Sequence, residues 1–328
     1  MSLPRIHHCP GTLTPGHSTY STTCLRNVFM GRKVSHILPY PSPVSNETAA
    51  KEFLENQKRM SISGVQEKFS VVLEKNKLRL TREGERGSYI LKPAPRTLDH
   101  PHQMPANEHL TMQIAHQVFG IETAENAMIF FSDGQPAYIT RRFDVKPQGG
   151  KLAKEDFASL AGMTPQKDGE HYKYLGCYLD LFGIMKKYLP IYTIESLKLF
   201  KLILFNYLFS NGDAHYKNFS IIETGMGDFR LSPAYDLLNT HLHVDDSPFA
   251  LADGLLPVNY AVGNIREQFH RLAQHAEIAK SQATLIMDDM LAHEDEVRKL
   301  VAASFLSDQL KQSYLEQYQK RLEIMGKK

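Results

Sequence analysis

The sequence has few cysteines and no long apolar run, and each of these absences narrows the class of protein. Its three cysteines are too few and too scattered among 328 residues for a disulfide framework. The most apolar stretch, residues 197–209, is interrupted by Lys198, Lys201 and Asn206 and is too short to cross a bilayer. The first residues also lack the apolar segment of a secretory signal. We therefore expect a reducing, cytoplasmic setting and no membrane association.

The chain also lacks a charge imbalance. Lysine and arginine total 38 against 36 acidic residues, a formal net charge of +2. No global field attracts nucleic acid, so we expect no direct nucleic-acid binding, and an anionic ligand must be held by local groups. There is no C-x-x-C pair, and the single Cys9 and Cys24 disfavour a structural zinc site near the N-terminal histidines.

The periodicity of the sequence changes along the chain and suggests three parts. Residues 1–57 show little periodicity and contain Pro39, Pro41 and Pro43, so we expect a loosely structured arm with one or two short elements. Residues 58–146 are β-rich with one helix over Pro105–Val118, and residues 147–328 are mainly helical with a β-hairpin. This order predicts an α+β fold of two lobes, with a cleft between lobes as the favoured ligand site.

The individual elements follow from local patterns. Strands are predicted at Phe69–Leu73, Leu78–Thr81, Ser88–Leu91, Ala127–Phe131, Ala137–Arg142, Phe219–Ile222 and Phe229–Leu231. Further helices are predicted at Lys154–Leu160, Tyr172–Tyr188, Ile194–Phe209 and from about Ile265 onward. Asp133-Gly134 marks a hairpin turn in the first of these regions.

The most informative segment is NGDAHYKN, which follows the apolar helix predicted to end at Phe209. Asp213 and Asn218 lie five residues apart, as the general base and a metal-binding amide do in protein kinases. A short hairpin then leads to Asp236, which is placed to be a second Mg²⁺ ligand because hard oxygen donors suit this ion. The alternative interpretation is a solvated polar turn between helix and hairpin.

A lysine and a glutamate upstream fit the same chemistry. Lys92 ends the strand SYILK, and Glu108 lies on the following helix. A strand lysine that binds phosphates, braced by a helix glutamate, is the pairing that protein kinases use. The alternatives are a surface lysine at a strand end and a solvated acid in a first helical turn.

Other candidates for nucleotide contacts are individually weaker. The segment SISGVQEK has one glycine, not the G-x-G-x-x-G pattern, but it precedes the first strand. Its residues Ser63, Gly64 and Val65 are therefore candidates for a lid over the phosphates. The last strand of the first lobe ends at Arg142-Phe143-Asp144, and we expect Arg141 and Phe143 to lie beside the adenine, where backbone groups would pair with its edge. The alternative is an ordinary strand end. His215 and Lys217 lie inside the polar loop; the alternatives are a structural histidine and an exposed lysine.

Six segments together resemble the HipA-type toxin kinases of bacterial toxin–antitoxin systems. They are SISGVQEK, ILKPAP, NEH at a helix start, RRFD, NGDAHYKNFS and LSPAYDLL, in the family's order from about Met60 to Ala252. The resemblance implies an atypical two-lobe serine/threonine kinase that uses ATP and Mg²⁺. It assigns Asp213 as the base, Asn218 and Asp236 as metal ligands, and Lys92 as the phosphate-binding lysine.

The resemblance also implies regulation and partners. Ser61 matches the family's autophosphorylated serine, with Ser63 as a second candidate. A DNA-binding, HipB-like antitoxin is an expected partner, and family substrates include aminoacyl-tRNA synthetases. Only about sixty residues precede the SISG segment, as in the shorter HipT form whose missing part is a separate small HipS-like protein. Arg141 departs from the acid found in long HipA proteins.

Two other functions fit parts of the sequence. One is a kinase of the same fold that phosphorylates a small alcohol, which the SISG segment disfavours because it resembles a self-phosphorylation site. The other is a catalytically silent nucleotide-binding partner of a DNA-binding antitoxin. The presence of the base, both metal ligands and the lysine disfavours that interpretation.

Overall fold

The computed structural model describes residues 5–45, 50, 53, 67–146 and 149–326, which form two compact units. The first unit comprises the described residues within 1–113, 124–143 and 299–311. The second comprises those within 114–123, 144–298 and 312–328. Among the helices of these residues, none combines the length and hydropathy needed to span a membrane.

The first unit contains a five-stranded antiparallel sheet in the order β2-β1-β3-β5-β4. Its strands are β1 Phe69–Glu74, β2 Lys77–Leu80, β3 Tyr89–Pro93, β4 Asn126–Phe130 and β5 Pro136–Arg141. The β4–β5 connection turns where the sequence predicted it, since Gly134 adopts a φ of 84° and its amide donates to the Phe131 carbonyl. Helix α2, Met104–Gln117, follows β3 and a single turn of 3₁₀ helix.

Alternation along the strands sends two sets of side chains to opposite faces of this sheet. One set is apolar and buried, and consists of Phe69, Val71, Tyr89, Leu91, Ala127, Ile129, Ala137 and Ile139. The other face carries Lys92 and Tyr138, which are directly opposite each other in the β3–β5 register. The buried Lys92 thus directly follows the core residue Leu91, but its side chain lies on the opposite face of the sheet.

The N-terminal segment is an integral part of the first unit. Helix α1, Thr22–Phe29, begins at Ser21, whose hydroxyl accepts the amide of Cys24, and contributes the buried Val28 and Phe29 to the core. The single short helix agrees with the expected arm of one or two short elements, and the packing of residues 5–45 into the core adds an order that the expectation did not include. The side chains that reach the core lie at irregular intervals along a looping path, so no periodicity reveals them.

An edge strand accounts for much of this ordering. β4 lies at one edge of the sheet and has outward-facing amides that need acceptors. The Met128 amide donates to the Pro10 carbonyl at 2.7 Å, and the Phe130 amide donates to the His36 carbonyl at 2.9 Å. The N-terminal segment therefore covers the edge strand and accepts hydrogen bonds from backbone amides that water or another strand would otherwise bind.

The second unit is mainly helical and contains a three-stranded antiparallel sheet in the order β6-β7-β8. These strands are β6 Lys154–Asp156, β7 Ser220–Glu223 and β8 Phe229–Leu231. The helices up to β7 are α3 Phe157–Leu160, α4 Pro165–Asp168, α5 Tyr178–Tyr188 and α6 Tyr192–Leu208. The later helices are α7 Ile265–His275, α8 Lys280–Leu291, α9 Glu294–Ala303 and α10 Asp308–Gly326, and both α9 and α10 include residues of the first unit.

Two predicted helices are shorter than expected. The segment Lys154–Leu160 begins as strand β6, because residues 154–156 pair with β7, a long-range contact that local pattern does not show. The segment Tyr172–Tyr188 is broken at Gly176, which adopts a φ of +79°, a conformation that favours glycine and interrupts a helix. Residues 172–174 form a 3₁₀ turn instead, and the helix starts at Tyr178.

Phe29 tests whether the N-terminal segment stabilises the first unit. Its side chain is fully buried, with ring centroids 5.0 Å from Tyr20 and 5.9 Å from Tyr89. We predict that Phe29→Ala lowers the free energy of unfolding by about 3–5 kcal/mol, because it leaves a cavity in the core. Thr23→Ala, on the exposed side of the same helix, is the control and should change it by less than about 0.5 kcal/mol. Equal denaturant midpoints for the two variants would show that the segment does not stabilise the unit.

Candidate functional site

The polar loop begins where helix α6 ends, and two asparagines fix its start. Ser210 adopts a left-handed φ of 52°, which turns the chain out of the helix. The backbone amide and side-chain amide of Asn211 donate to the carbonyl and side-chain oxygens of Asn206, at 2.9 and 2.8 Å. The Asn211 side-chain oxygen in turn accepts the Asp213 amide at 3.3 Å. These buried contacts connect the loop firmly to the apolar helix.

Gly212 is required by close packing at this point. Its amide donates to the Thr240 hydroxyl at 2.9 Å. A Cβ atom on residue 212 would overlap the Asp246 carboxylate and lie 2.6 Å from the backbone oxygen of Ser247. The absence of a side chain therefore lets the segment around Asp246 approach the backbone next to Asp213.

Asp213 projects a partly exposed carboxylate from this loop. Its Oδ1 accepts a hydrogen bond from the Tyr174 hydroxyl at 2.6 Å, and 49% of its side-chain surface is exposed. Burial raises the pKa of the carboxyl above its ordinary value, with the negative charges of Asp246 and Asp236 acting in the same direction. The Tyr174 hydrogen bond and the Lys173 charge oppose that rise. The carboxylate is thus both accessible and more basic than a solvated aspartate, as a general base requires.

His215 is buried and stays neutral near pH 7. Desolvation, followed by the positive charge of Lys173, lowers its pKa to about 3. Its Nε2 lies 3.9 Å from Asp213 Oδ1, and its backbone amide donates to the Asn218 side-chain oxygen at 3.2 Å. A neutral imidazole cannot contribute a cation for a phosphate. His215 instead packs against the Tyr174 ring, and its backbone amide holds the Asn218 side chain.

Asn218 and Asp236 are the predicted metal ligands. Asn218 ends a short 3₁₀ helix over Tyr216–Asn218, and Asp236 follows β8 with a left-handed φ of 57°. A non-glycine residue in that region is strained, which is common where a side chain must be aimed. The Tyr235 hydroxyl donates to the Lys217 carbonyl at 2.8 Å, so the chain just before Asp236 is tied to the residue before Asn218.

The chemistry of these two donors suits Mg²⁺. An amide oxygen and a carboxylate are hard oxygen ligands, and Mg²⁺ commonly takes only one or two protein ligands and completes its shell with water and phosphate. In the described part of the chain, no cluster of three or more histidine, cysteine, aspartate or glutamate residues could hold a metal by itself. Asn218 and Asp236 remain the predicted Mg²⁺ ligands on the chemistry of their oxygen donors.

Lys92 and Glu108 form a buried ion pair in the first unit. Lys92 Nζ lies 2.6 Å from Glu108 Oε1, and the two side chains are 4% and 2% exposed. The register of β3 and β5 places Tyr138 opposite Lys92, with the ammonium 5.4 Å from its ring centroid. Burial of two charges is unfavourable unless they are closely paired, and the geometry meets that condition. The alternatives of an exposed strand-end lysine and a solvated glutamate do not match this arrangement.

The remaining predicted residues are distributed between the units. Arg141 is the last residue of β5 and Phe143 follows two residues later, both partly buried. Lys217 lies in the same 3₁₀ helix as Asn218 and is partly exposed. The lid and phosphorylation candidates Ser61, Ser63, Gly64 and Val65 lie outside the described residues. The structure therefore gathers Asp213, His215, Lys217 and Asn218 in one loop and pairs Lys92 with Glu108.

Comparison with known proteins now identifies the family. The family model described as "HipA-like C-terminal domain" matches residues 60–297 of this chain. The chain belongs to the HipA-like family. The resemblance drawn from the sequence motifs is therefore confirmed.

Two curated relatives are named as kinases. The protein named "Putative kinase Y4dM" from Sinorhizobium fredii is 30% identical over 220 residues, which cover 62% of this chain and 51% of that protein. A Haemophilus influenzae protein named "Putative kinase" is 23% identical over 295 residues, or 83% of each chain. The chain thus spans about half the length of its Sinorhizobium relative.

Solved structures share the fold. HipA of Shewanella oneidensis, solved with HipB and operator DNA, gives a TM-score of 0.62 at 20% identity and covers 80% of this chain and 63% of that one. The Helicobacter pylori proinflammatory kinase CtkA gives 0.51 at 11% identity and covers 78% of this chain and 94% of that one. The predicted α+β, kinase-like fold is confirmed.

Sequence reasoning missed two residues beside Asp213 in this HipA-like chain. The predicted helix Tyr172–Tyr188 includes Tyr174, and no predicted motif includes Asp246. The detectable signal for Tyr174 was Gly176, since a glycine two residues later favours a break in the helix. Asp246 had no local signal, because it reaches the loop only through the tertiary approach at Gly212.

The Lys92–Glu108 pair predicts a particular pattern of stability. Lys92→Met and Glu108→Gln should each lower the free energy of unfolding by up to about 5 kcal/mol, because one buried group loses its charged partner. The double variant Lys92→Met/Glu108→Gln should lose less stability than the sum of the two single losses. Lys186→Gln is the control, since it breaks the exposed 2.5 Å pair with Glu277 and should have little effect. Additive losses in the double variant, measured by denaturant unfolding, would contradict the proposed coupling.

Proposed function

We propose that this protein is an ATP- and Mg²⁺-dependent serine/threonine protein kinase and the toxin of a HipBA- or HipBST-like system. The observation that carries the proposal is the Asp213–Asn218 loop of a HipA-like chain, in which the half-exposed Asp213 carboxylate accepts the Tyr174 hydroxyl at 2.6 Å. The names of the curated relatives and the shared fold with HipA and CtkA support it.

Each residue has a role in the proposed reaction. The hydroxyl oxygen of a serine or threonine attacks the γ-phosphorus of ATP, and its proton passes to Asp213. The bond from the γ-phosphorus to the bridging oxygen breaks, and ADP leaves with that electron pair. Lys92, held by Glu108, would bind the phosphates of the nucleotide. Asn218 and Asp236 would hold Mg²⁺, which neutralises phosphate charge.

A HipB-like, DNA-binding antitoxin is the proposed partner. The support is the Shewanella oneidensis HipA structure, which contains HipB and operator DNA. A small HipS-like protein is a second proposed partner. Co-purification from the native host tests both, and recovery of neither protein would count against this part of the proposal.

One experiment separates the kinase from its alternatives. The chain is incubated with γ-labelled ATP and Mg²⁺, with and without host protein extract and small alcohols as acceptors. Label on the chain or on host protein serine and threonine supports the protein kinase. Label only on a small alcohol supports a small-molecule kinase of the same fold. Nucleotide binding with no transfer supports a catalytically silent partner.

Two isosteric substitutions should have different effects. Asp213→Asn keeps the shape of the side chain but cannot accept the hydroxyl proton, so transfer should fall by about 10²–10⁴-fold with Mg-ATP affinity nearly unchanged. Asp236→Asn should instead weaken the Mg²⁺-dependent part of ATP affinity, because it removes a charged ligand. Transfer rates and nucleotide titrations at several Mg²⁺ concentrations measure both effects. Full transfer by the first variant, or an unaltered Mg²⁺ dependence in the second, would remove that residue from its role.

Phosphorylation of Ser61 or Ser63 is the proposed regulation. A phosphoserine carries about −1.5 to −2 charge near neutral pH and would repel ATP phosphates nearby. We expect mass spectrometry to find phosphate on Ser61 or Ser63 after incubation with Mg-ATP, and not in the Asp213→Asn variant. Phosphorylated protein should bind ATP more weakly. Equal modification of the inactive variant, or an unmodified segment after prolonged incubation, would contradict self-regulation.

A further inference from the structure

The strongest feature that the proposed reaction leaves unexplained is the hydrogen bond between Tyr174 and Asp213. The Tyr174 hydroxyl donates to Asp213 Oδ1 at 2.6 Å, a short distance typical of a bond to a charged acceptor. Tyr174 lies 39 positions earlier in the chain, in the 3₁₀ turn over Tyr172–Tyr174. The contact is therefore a product of the fold and not of the local sequence around Asp213.

The backbone that carries Tyr174 is fixed by a second segment. The Tyr174 carbonyl accepts the Ala252 amide at 2.8 Å, and the Gly176 carbonyl accepts the Asp253 amide at 3.0 Å. At Tyr178 the roles of donor and acceptor are exchanged, since the Tyr178 amide donates to the Gly254 carbonyl at 2.9 Å. These successive bonds hold the tyrosine in place without any contribution from its side chain.

The ring of Tyr174 is also confined. It packs edge-on against His215, with centroids 5.0 Å apart, and the Lys173 ammonium lies 4.9 Å from its centroid. His215 belongs to the same loop as Asp213, so the ring contacts the loop through both its edge and its hydroxyl. A tyrosine placed in this way limits the rotation of the Asp213 side chain about its own bonds.

We propose that Tyr174 is a positioning residue that holds the Asp213 carboxylate in the orientation used for phosphoryl transfer. The hydroxyl occupies Oδ1, which leaves Oδ2 to accept the proton of the substrate hydroxyl. This inference rests on the proposed kinase function and adds to it a residue outside the recognised motifs. Because reacting groups must be aligned closely, loss of the hydroxyl should slow transfer without weakening nucleotide binding.

The test compares Tyr174→Phe, which keeps the ring and removes only the hydroxyl, with Tyr172→Phe from the same 3₁₀ turn. The readouts are kcat and KM for Mg-ATP, with transfer of the γ-phosphoryl group to the chain itself or to water. For Tyr174→Phe we expect kcat to fall by about 10- to 100-fold. KM for ATP should stay within about twofold of the wild-type value, and the midpoint of thermal unfolding within about 2 °C. Tyr172→Phe should match wild type in every measurement.

Several outcomes would overturn the inference. A wild-type kcat for Tyr174→Phe shows that the hydroxyl is dispensable. A rise in KM that accounts for the whole loss, or a much lower unfolding midpoint, assigns Tyr174 to binding or to general stability. Failure of wild type to transfer phosphate overturns the proposed function and, with it, the positioning role. In that case the coupling between Tyr174→Phe and Asp213→Ala in unfolding experiments still shows whether the hydrogen bond forms.

Discussion

The loop from Ser210 to Asn218 must satisfy its backbone polar groups largely outside any helix or sheet ladder, and much of the second unit is arranged around that requirement. The Thr240 hydroxyl accepts the Gly212 amide, the Tyr178 hydroxyl donates to the Ala214 carbonyl at 2.8 Å, and the Tyr235 hydroxyl donates to the Lys217 carbonyl. Each of these side chains comes from a different part of the unit. The loop is rigid because several elements converge on it.

The first unit depends on a different constraint, the burial of a full charge pair. Lys92 and Glu108 can remain ionised at under 5% exposure only if strand and helix hold them at hydrogen-bond distance. A hydrophobic pair of similar volume would often be as stable, so stability alone does not explain the choice of these residues. A lysine whose position is fixed by a carboxylate is, however, well suited to bind a phosphate.

Much of the architecture could be predicted from local pattern. The five strands of the first sheet begin and end within about two residues of their predicted bounds, because alternation and the Asp133-Gly134 turn are strong signals. The local pattern predicts a helix from Lys154, whereas residues 154–156 form β6, because this strand depends on pairing with β7 more than sixty residues later. Local pattern does not predict the order of the N-terminal segment either, because that order comes from covering β4 and filling the core.

In the candidate site, too, local sequence patterns identify some residues, and only tertiary contacts identify the others. Asp213, Asn218 and Asp236 could be selected because their spacing follows from a single loop and hairpin, and Lys92 and Glu108 from a strand followed by a helix. Tyr174 and Asp246 reach Asp213 and Gly212 across the fold, so nothing in their neighbouring residues indicates the contact.

Tyr174 and Asp246 affect the chemistry of the Asp213 carboxylate. Burial, and to a smaller extent the negative charge of Asp246, raises the pKa of Asp213, whereas the hydrogen bond that Tyr174 donates to Oδ1 lowers it. A motif can supply the carboxylate, but its basicity and orientation depend on distant residues. The proton affinity of the Asp213 carboxylate is therefore a property of the folded unit, and substitutions at positions outside every motif can change it.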